Sequence, residues 1–134
     1  MVVFGRQVAR VSMAVGGSLL LAATAVSTAE AATPRNGRCE VGEFCLYYGS
    51  MESSSVSDFN GSVADYGSSQ PGCYEFKGEG TGRYQCVKNN AELAWNRTTG
   101  HTVVLYYSGG SITLAVDAVR SLNDRNTSHK FIKN

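Results

Sequence analysis

From Cys39 onward the chain alternates short apolar runs with breaks rich in Gly, Ser and Asn. Phe44-Cys45-Leu46-Tyr47-Tyr48 is aromatic and apolar and stops at Gly49-Ser50, which predicts a strand ending in a turn. Cys73-Tyr74-Glu75-Phe76-Lys77 and Arg83-Tyr84-Gln85-Cys86-Val87 each alternate, and Gly78 to Gly82 links them. Two alternating runs around a Gly-rich link predict a hairpin. Leu93 to Asn96 reads as a short strand. His101 to Tyr107, dense in β-branched and aromatic residues, is the strongest predicted strand. Ile112 to Val119 is ambiguous: strand at first, with a helical turn open to Ala115 to Arg120. Phe131 and Ile132 close the chain as a last short strand. Met51 to Ser69, rich in Ser, Gly and Asp, predicts loop, with Phe59 tucked back onto the core. Ala32 to Arg38 reads as a loose polar lead. No long helical period appears after residue 31, so short strands between Gly turns argue an all-β sandwich or barrel.

One internal echo adds to this. Leu46-Tyr47-Tyr48-Gly49-Ser50 resembles Leu105-Tyr106-Tyr107-Ser108-Gly109, and each is followed by an Asn-rich turn, at Asn89-Asn90 and at Asn123-Asp124. The order predicts two related units. The gap is longer in the first, and the Cys73–Cys86 hairpin is the expected insertion.

The start of the chain has a different character. Arg6 and Arg10 precede an apolar run, Val11 to Val26, that closes at Ala29-Glu30-Ala31. A positive start, a short apolar middle and an Ala-x-Ala end predict a secretory signal peptide over residues 1–31. The run is short for a membrane span, and Arg6 and Arg10 are not a twin-Arg pair. Removing Arg6, Arg10 and Glu30 takes the formal charge from +1 to neutral. A neutral domain without a basic run is a poor partner for nucleic acid. It also lacks the basic amphipathic helix of a membrane-surface protein. Residues 32–134 are of single-domain size, and the expectation is a secreted, extracellular monomer.

Export and an even count of cysteines make disulfides the default for Cys39, Cys45, Cys73 and Cys86. Of the three possible connectivities, Cys39–Cys45 and Cys73–Cys86 are expected, because each closes locally around glycines. The chain-entropy model gives roughly 2–3 kcal/mol for loops of these lengths. Zinc is disfavoured by the absence of a Cys-x-x-Cys pair and by the distance of His101 and His129 from the thiols.

Asn123-Asp124-Arg125-Asn126-Thr127-Ser128 fits the calcium motif of the βγ-crystallin Greek key, which it resembles. Amide, carboxylate and hydroxyl oxygens on one short turn are the hard ligands calcium needs. Asn123, Asp124 and Thr127 are the candidate ligands. Asn89 and Asn90 begin the partner motif, where Leu93 and Ala94 replace Thr127 and Ser128. The competing reading is a polar turn whose side chains cap backbone groups.

With these elements in view, Arg38 to Phe131 resembles peptidase inhibitor family I36, small exported proteins of actinobacteria. The resemblance rests on Cys39-Glu40-Val41-Gly42-Glu43-Phe44-Cys45-Leu46-Tyr47-Tyr48, Cys73 to Lys77, Cys86-Val87-Lys88-Asn89-Asn90, Trp95-Asn96-Arg97 and Asn123 to Phe131. It implies a βγ-crystallin-like Greek-key sandwich of two related motifs, with a disulfide-linked hairpin inserted in the first. It implies an extracellular peptidase as partner and no required cofactor, with calcium as an option. A rigid loop lowers the ordering cost of binding, and aromatic and Arg side chains are the usual anchors. The Gly78 to Tyr84 tip is therefore the candidate inhibitory loop, with Tyr74, Phe76, Arg83 and Tyr84 as peptidase contacts. A purely structural hairpin competes with this reading. The alternatives are a calcium-tuned structural or carbohydrate-binding module and a small secreted toxin. Catalysis is not expected: no His-Glu-x-x-His, Gly-x-Ser-x-Gly or Walker loop occurs. His101 and His129 read as surface or half-buried residues rather than as bases.

Overall fold

The computed structural model of the protein describes residues 32–134, and the expected signal peptide lies outside them. The described chain is all-β, with seven strands and no helix: β1 Phe44–Tyr47, β2 Val56–Phe59, β3 Leu93–Asn96, β4 His101–Tyr107, β5 Gly110–Leu114, β6 Val119–Ser121 and β7 Ser128–Lys133. They form two antiparallel sheets, ordered β2-β1-β3-β6 and β5-β4-β7. The two halves of the chain trade strands. Strand β6, from the second half, pairs with β3 through Leu93↔Ser121, Ala94↔Arg120 and Trp95↔Val119. Val63, from the first half, bridges His129 on β7.

Strand β4 follows its pattern: Val103 and Leu105 enter the core while Tyr106 faces outward. Such period-2 alternation is what a half-buried strand demands. β1 is central and buried on both faces. Phe44 and Leu46 join the main core with Phe59, Tyr66, Phe76, Leu105 and Leu122. Cys45 and Tyr47 turn the other way, onto Val56, Cys39, Met51, Leu93 and Trp95.

Several expectations need correction. The segment read as loop from Met51 to Ser69 contains β2, all four residues of which are buried. Its polar residues were misleading because the lead covers them. Arg35 donates to Ser57 Oγ at 2.6 Å and to the Asp58 and Glu75 carbonyls at 2.9 and 2.8 Å. Its guanidinium lies 4.4 Å from the Phe59 ring centroid. The Asn36 and Gly37 amides donate to the two Asp58 carboxylate oxygens, at 2.9 and 2.8 Å. The lead is therefore tied down from Arg35 on and is not loose. The open helical turn at Ala115 to Arg120 resolves into the approach to β6, with Asp117 at φ 69°. The last strand is longer than Phe131-Ile132, because Ser128, His129 and Lys130 also pair with β4.

Candidate functional site

The stretch from Cys73 to Cys86 is where the predicted interface residues lie. Cys73 and Cys86 are bonded, with S–S 2.09 Å, and Cys39 and Cys45 likewise, with S–S 1.97 Å. The expected hairpin forms only as a narrow pair and not as two ladder strands. Glu75 bridges Cys86. Val87 N–H donates to Tyr74 C=O at 2.8 Å, Phe76 N–H to Gln85 C=O at 3.0 Å, and Tyr84 N–H to Phe76 C=O at 2.8 Å. Phe76 drops into the core, fully buried and edge-on to Tyr48 at 5.6 Å. It is a packing residue and cannot reach a partner, contrary to its sequence assignment.

The Gly-rich tip is clamped rather than projecting. Ser55 N–H donates to Thr81 C=O at 2.8 Å, Thr81 N–H to Ser53 C=O at 3.2 Å, and Lys77 and Gly78 N–H both reach Val56 C=O. Gly80 makes this close approach possible. Its φ is 117°, and a Cβ there would sit 2.6 Å from the Ser53 carbonyl oxygen. Only glycine meets both conditions.

Of the four candidate contacts, the fold brings Arg83 and Tyr84 together on the outer rim. Tyr84 is 55% exposed and holds φ 72°, a left-handed conformation that a bulky residue adopts only when its surroundings force it. Those surroundings are its own amide bond to Phe76 and a Gln70 Nε2 donor on its carbonyl. The Arg83 guanidinium lies 4.8 Å from the Tyr84 ring centroid, donates through Nε to Lys77 C=O at 3.2 Å and pairs with Glu79 at 3.3 Å. Tyr74 is 38% exposed and faces elsewhere, against Phe59 and beneath Arg35.

The two Asn turns meet. Asn89 N–H donates to Asn126 C=O at 2.7 Å, and Asn126 N–H returns to Asn89 Oδ1 at 3.3 Å. The Asn126 carboxamide fills the space between them: Oδ1 accepts from the Asn90 and Ala91 amides, and Nδ2 donates to Val87 C=O. Asn90 Nδ2 reaches the Cys86 carbonyl at 3.1 Å, so the turn pair also props the base of the disulfide loop. Thr127 Oγ1 donates to Tyr106 C=O at 3.0 Å. Asn123 and Asp124 are exposed, with φ 57° and 59°. Among the described residues, no three His, Cys, Asp or Glu side chains cluster to hold a metal. Asn126 is the residue the sequence reading missed as structural. It stood inside a polar motif as an unassigned position.

Two titratable groups, His129 and Glu43, are buried. His129, read from sequence as surface or half-buried, is buried. Its Nδ1 lies 2.7 Å from the Tyr66 hydroxyl and its Nε2 2.8 Å from the Gly61 carbonyl. A carbonyl only accepts, so Nε2 carries the proton and Nδ1 accepts from Tyr66. Burial pushes its pKa down to about 4. Glu43 is buried beside Asp58, with Oε1 accepting from the Glu40 amide at 2.8 Å and Oε2 unpaired. Burial, opposed by that amide and reinforced by the Asp58 carboxylate, raises its pKa to about 7.

In comparison with known proteins, residues 32–113 match the family model described as peptidase inhibitor family I36. No curated protein and no solved structure matches the chain.

Proposed function

From the membership of this chain in peptidase inhibitor family I36, we infer that it is a secreted protein that blocks the active site of an extracellular peptidase with the Cys73–Cys86 loop. The observation that carries the reading is Tyr84, exposed beside Arg83 yet held at φ 72° on a loop closed by a disulfide and pinned to Ser53–Val56. Such a loop has little freedom left to lose on entering a cleft, and that saving appears as affinity. Tyr84 and Arg83 are the pocket-filling groups. The exchange of strands between the halves, with the echo between β1 and β4, supports two related Greek-key motifs as the frame that carries this loop.

The test is titration of the exported protein against a panel of secreted metallo- and serine peptidases, with calcium held fixed. The expected result is stoichiometric inhibition of one class, weakened at least tenfold by Arg83→Ala or Tyr84→Ala without a change in melting temperature. Absence of inhibition across the panel, with the protein uncleaved, would sink the reading.

The alternative, a calcium-tuned module, has one observation in its favour: the two Asn turns abut, and Asn123 and Asp124 keep their side chains at the surface. Against it, Asp124 is the single carboxylate of the turn and Arg125 adjoins it, which gives little ligand charge. The inhibitor reading expects the same melting temperature in chelator and in millimolar calcium. A rise on adding calcium that Asp124→Ala abolishes would favour the module.

A further inference from the structure

A groove of about 760 Å3 runs between β5 and β6, away from Arg83 and Tyr84. Both of its walls are sheet edges, since β5 ends one sheet and β6 ends the other. Hydrogen-bond alternation fixes which backbone groups face it. Tyr106 gives its carbonyl to Thr127, on the β7 side of β4. In an antiparallel ladder successive residues face opposite neighbours. Tyr107, Leu105 and Val103 therefore bond to β5, and Ser111 and Thr113, opposite Tyr106 and Val104, turn their N–H and C=O outward. On β6, Leu122 N–H bonds to Glu92 C=O, and Asn96 N–H to Ala118 C=O. Val119 and Ser121 therefore turn theirs outward as well. Unpaired strand edges of this kind are templates for another strand.

The groove is also positive. Arg120 and Arg125 line it, and no Asp or Glu does. Among the described residues neither guanidinium is within 4.0 Å of a carboxylate. Arg125 is steadied over the Tyr107 ring, 4.9 Å from its centroid. A second copy of this chain would set Arg120 against Arg120 across a shared edge, which disfavours self-pairing.

We propose that this groove binds an extended acidic peptide segment of a partner protein, which adds as a strand to a free edge while its carboxylates meet Arg120 and Arg125. Main-chain bonds then supply affinity and the two guanidinium groups supply the selection. This second surface does not depend on the inhibitor reading.

The test uses the exported protein, 15N-labelled, and three synthetic probes. These are an octapeptide alternating Glu with Thr, its Glu→Gln counterpart, and the acidic octapeptide with N-methylated backbone amides. The expected result is that the acidic octapeptide shifts the amide signals of Ser111, Thr113, Val119 and Ser121. The other two probes should bind at least tenfold more weakly. Arg120→Ala with Arg125→Ala should lower affinity at least tenfold with the spectrum otherwise unchanged, and Arg83→Ala should leave it intact. The proposal fails if the acidic peptide moves none of these signals, or if the N-methylated peptide binds equally well. It also fails if a sulfated polysaccharide binds the groove more tightly than the acidic peptide, or if the same signals move with protein concentration alone, which would mark a self-association surface.

Discussion

Replacing Asn126 with Ala is expected to lower the unfolding free energy by about 3–5 kcal/mol, a large share of the roughly 5–15 kcal/mol available to a domain of this size. The carboxamide is fully buried. It accepts from the Asn90 and Ala91 amides at 3.2 and 3.1 Å and donates to the Val87 carbonyl at 2.9 Å. Truncation removes all three bonds at once and leaves the buried Ala91 amide without an acceptor, while the Asn90 amide and the Val87 carbonyl keep their bond to each other at 3.0 Å. The orphaned Ala91 amide costs about 1–3 kcal/mol, and each of the other two lost bonds about 1 kcal/mol. The Asn126→Asp variant is no rescue, because it keeps the acceptor but turns a carboxylate oxygen toward the Val87 carbonyl. Asn90→Ala removes only side-chain bonds to Gln85 and Cys86 at the surface, and about 1 kcal/mol is expected there. Urea denaturation of the three variants reads the ranking, and a cost below 1 kcal/mol for Asn126→Ala would overturn this account of the turn pair.

Stability should change little between pH 4.5 and 6.5 in the wild type, because two buried groups pull it in opposite directions. His129 has a folded pKa of about 4 against an ordinary 6.5. Between those values the unfolded chain binds the proton and the folded one does not. Its contribution is therefore complete above pH 6.5 and is lost as pH falls toward 4, by about 3 kcal/mol in all. Glu43 has a folded pKa of about 7 against an ordinary 4.5. Here the folded chain holds the proton that the unfolded chain has released. Its contribution is complete below pH 4.5 and is lost as pH rises toward 7. The two slopes oppose each other over the shared window. Glu43→Gln should leave the histidine slope bare, with stability rising from pH 4 to 6.5. His129→Gln should leave the glutamate slope bare, with stability falling from pH 4.5 to 7. Melting curves across pH 4–7 read both, and parallel profiles for the two variants would refute the assignment.

Much of the frame was legible because residue type marks its strands. His101 to Tyr107 is dense in β-branched and aromatic residues and emerged as β4 with the same limits. The cysteine pairing followed from local closure and is the pairing observed. Two of the failures, β2 and His129, share one cause, which is long-range cover of polar residues. Val56-Ser57-Asp58-Phe59 looks like loop until Arg35, Asn36 and Gly37 arrive to satisfy its polar groups. Phe76 has the same parity as Tyr74, so alternation placed both on one face. Both do turn toward the core, but Phe76 is covered by Tyr48 while Tyr74 lies over Phe59 at its edge, and parity does not tell how far each is covered. His129 gave no local sign of burial, because its partners Tyr66 and Gly61 lie on the other half of the chain.

The family match ends at residue 113, and the strand exchange makes that an uneven place to cut. A chain stopped there would expose the edge of β3 that β6 covers. It would leave Val63 without the strand it bridges and strip Tyr66 of His129 in the middle of the core. The stretch that matches the family model is thus smaller than the stretch that folds. Grafting residues 32–113 alone into another protein would carry over the matched segment without its cooperativity.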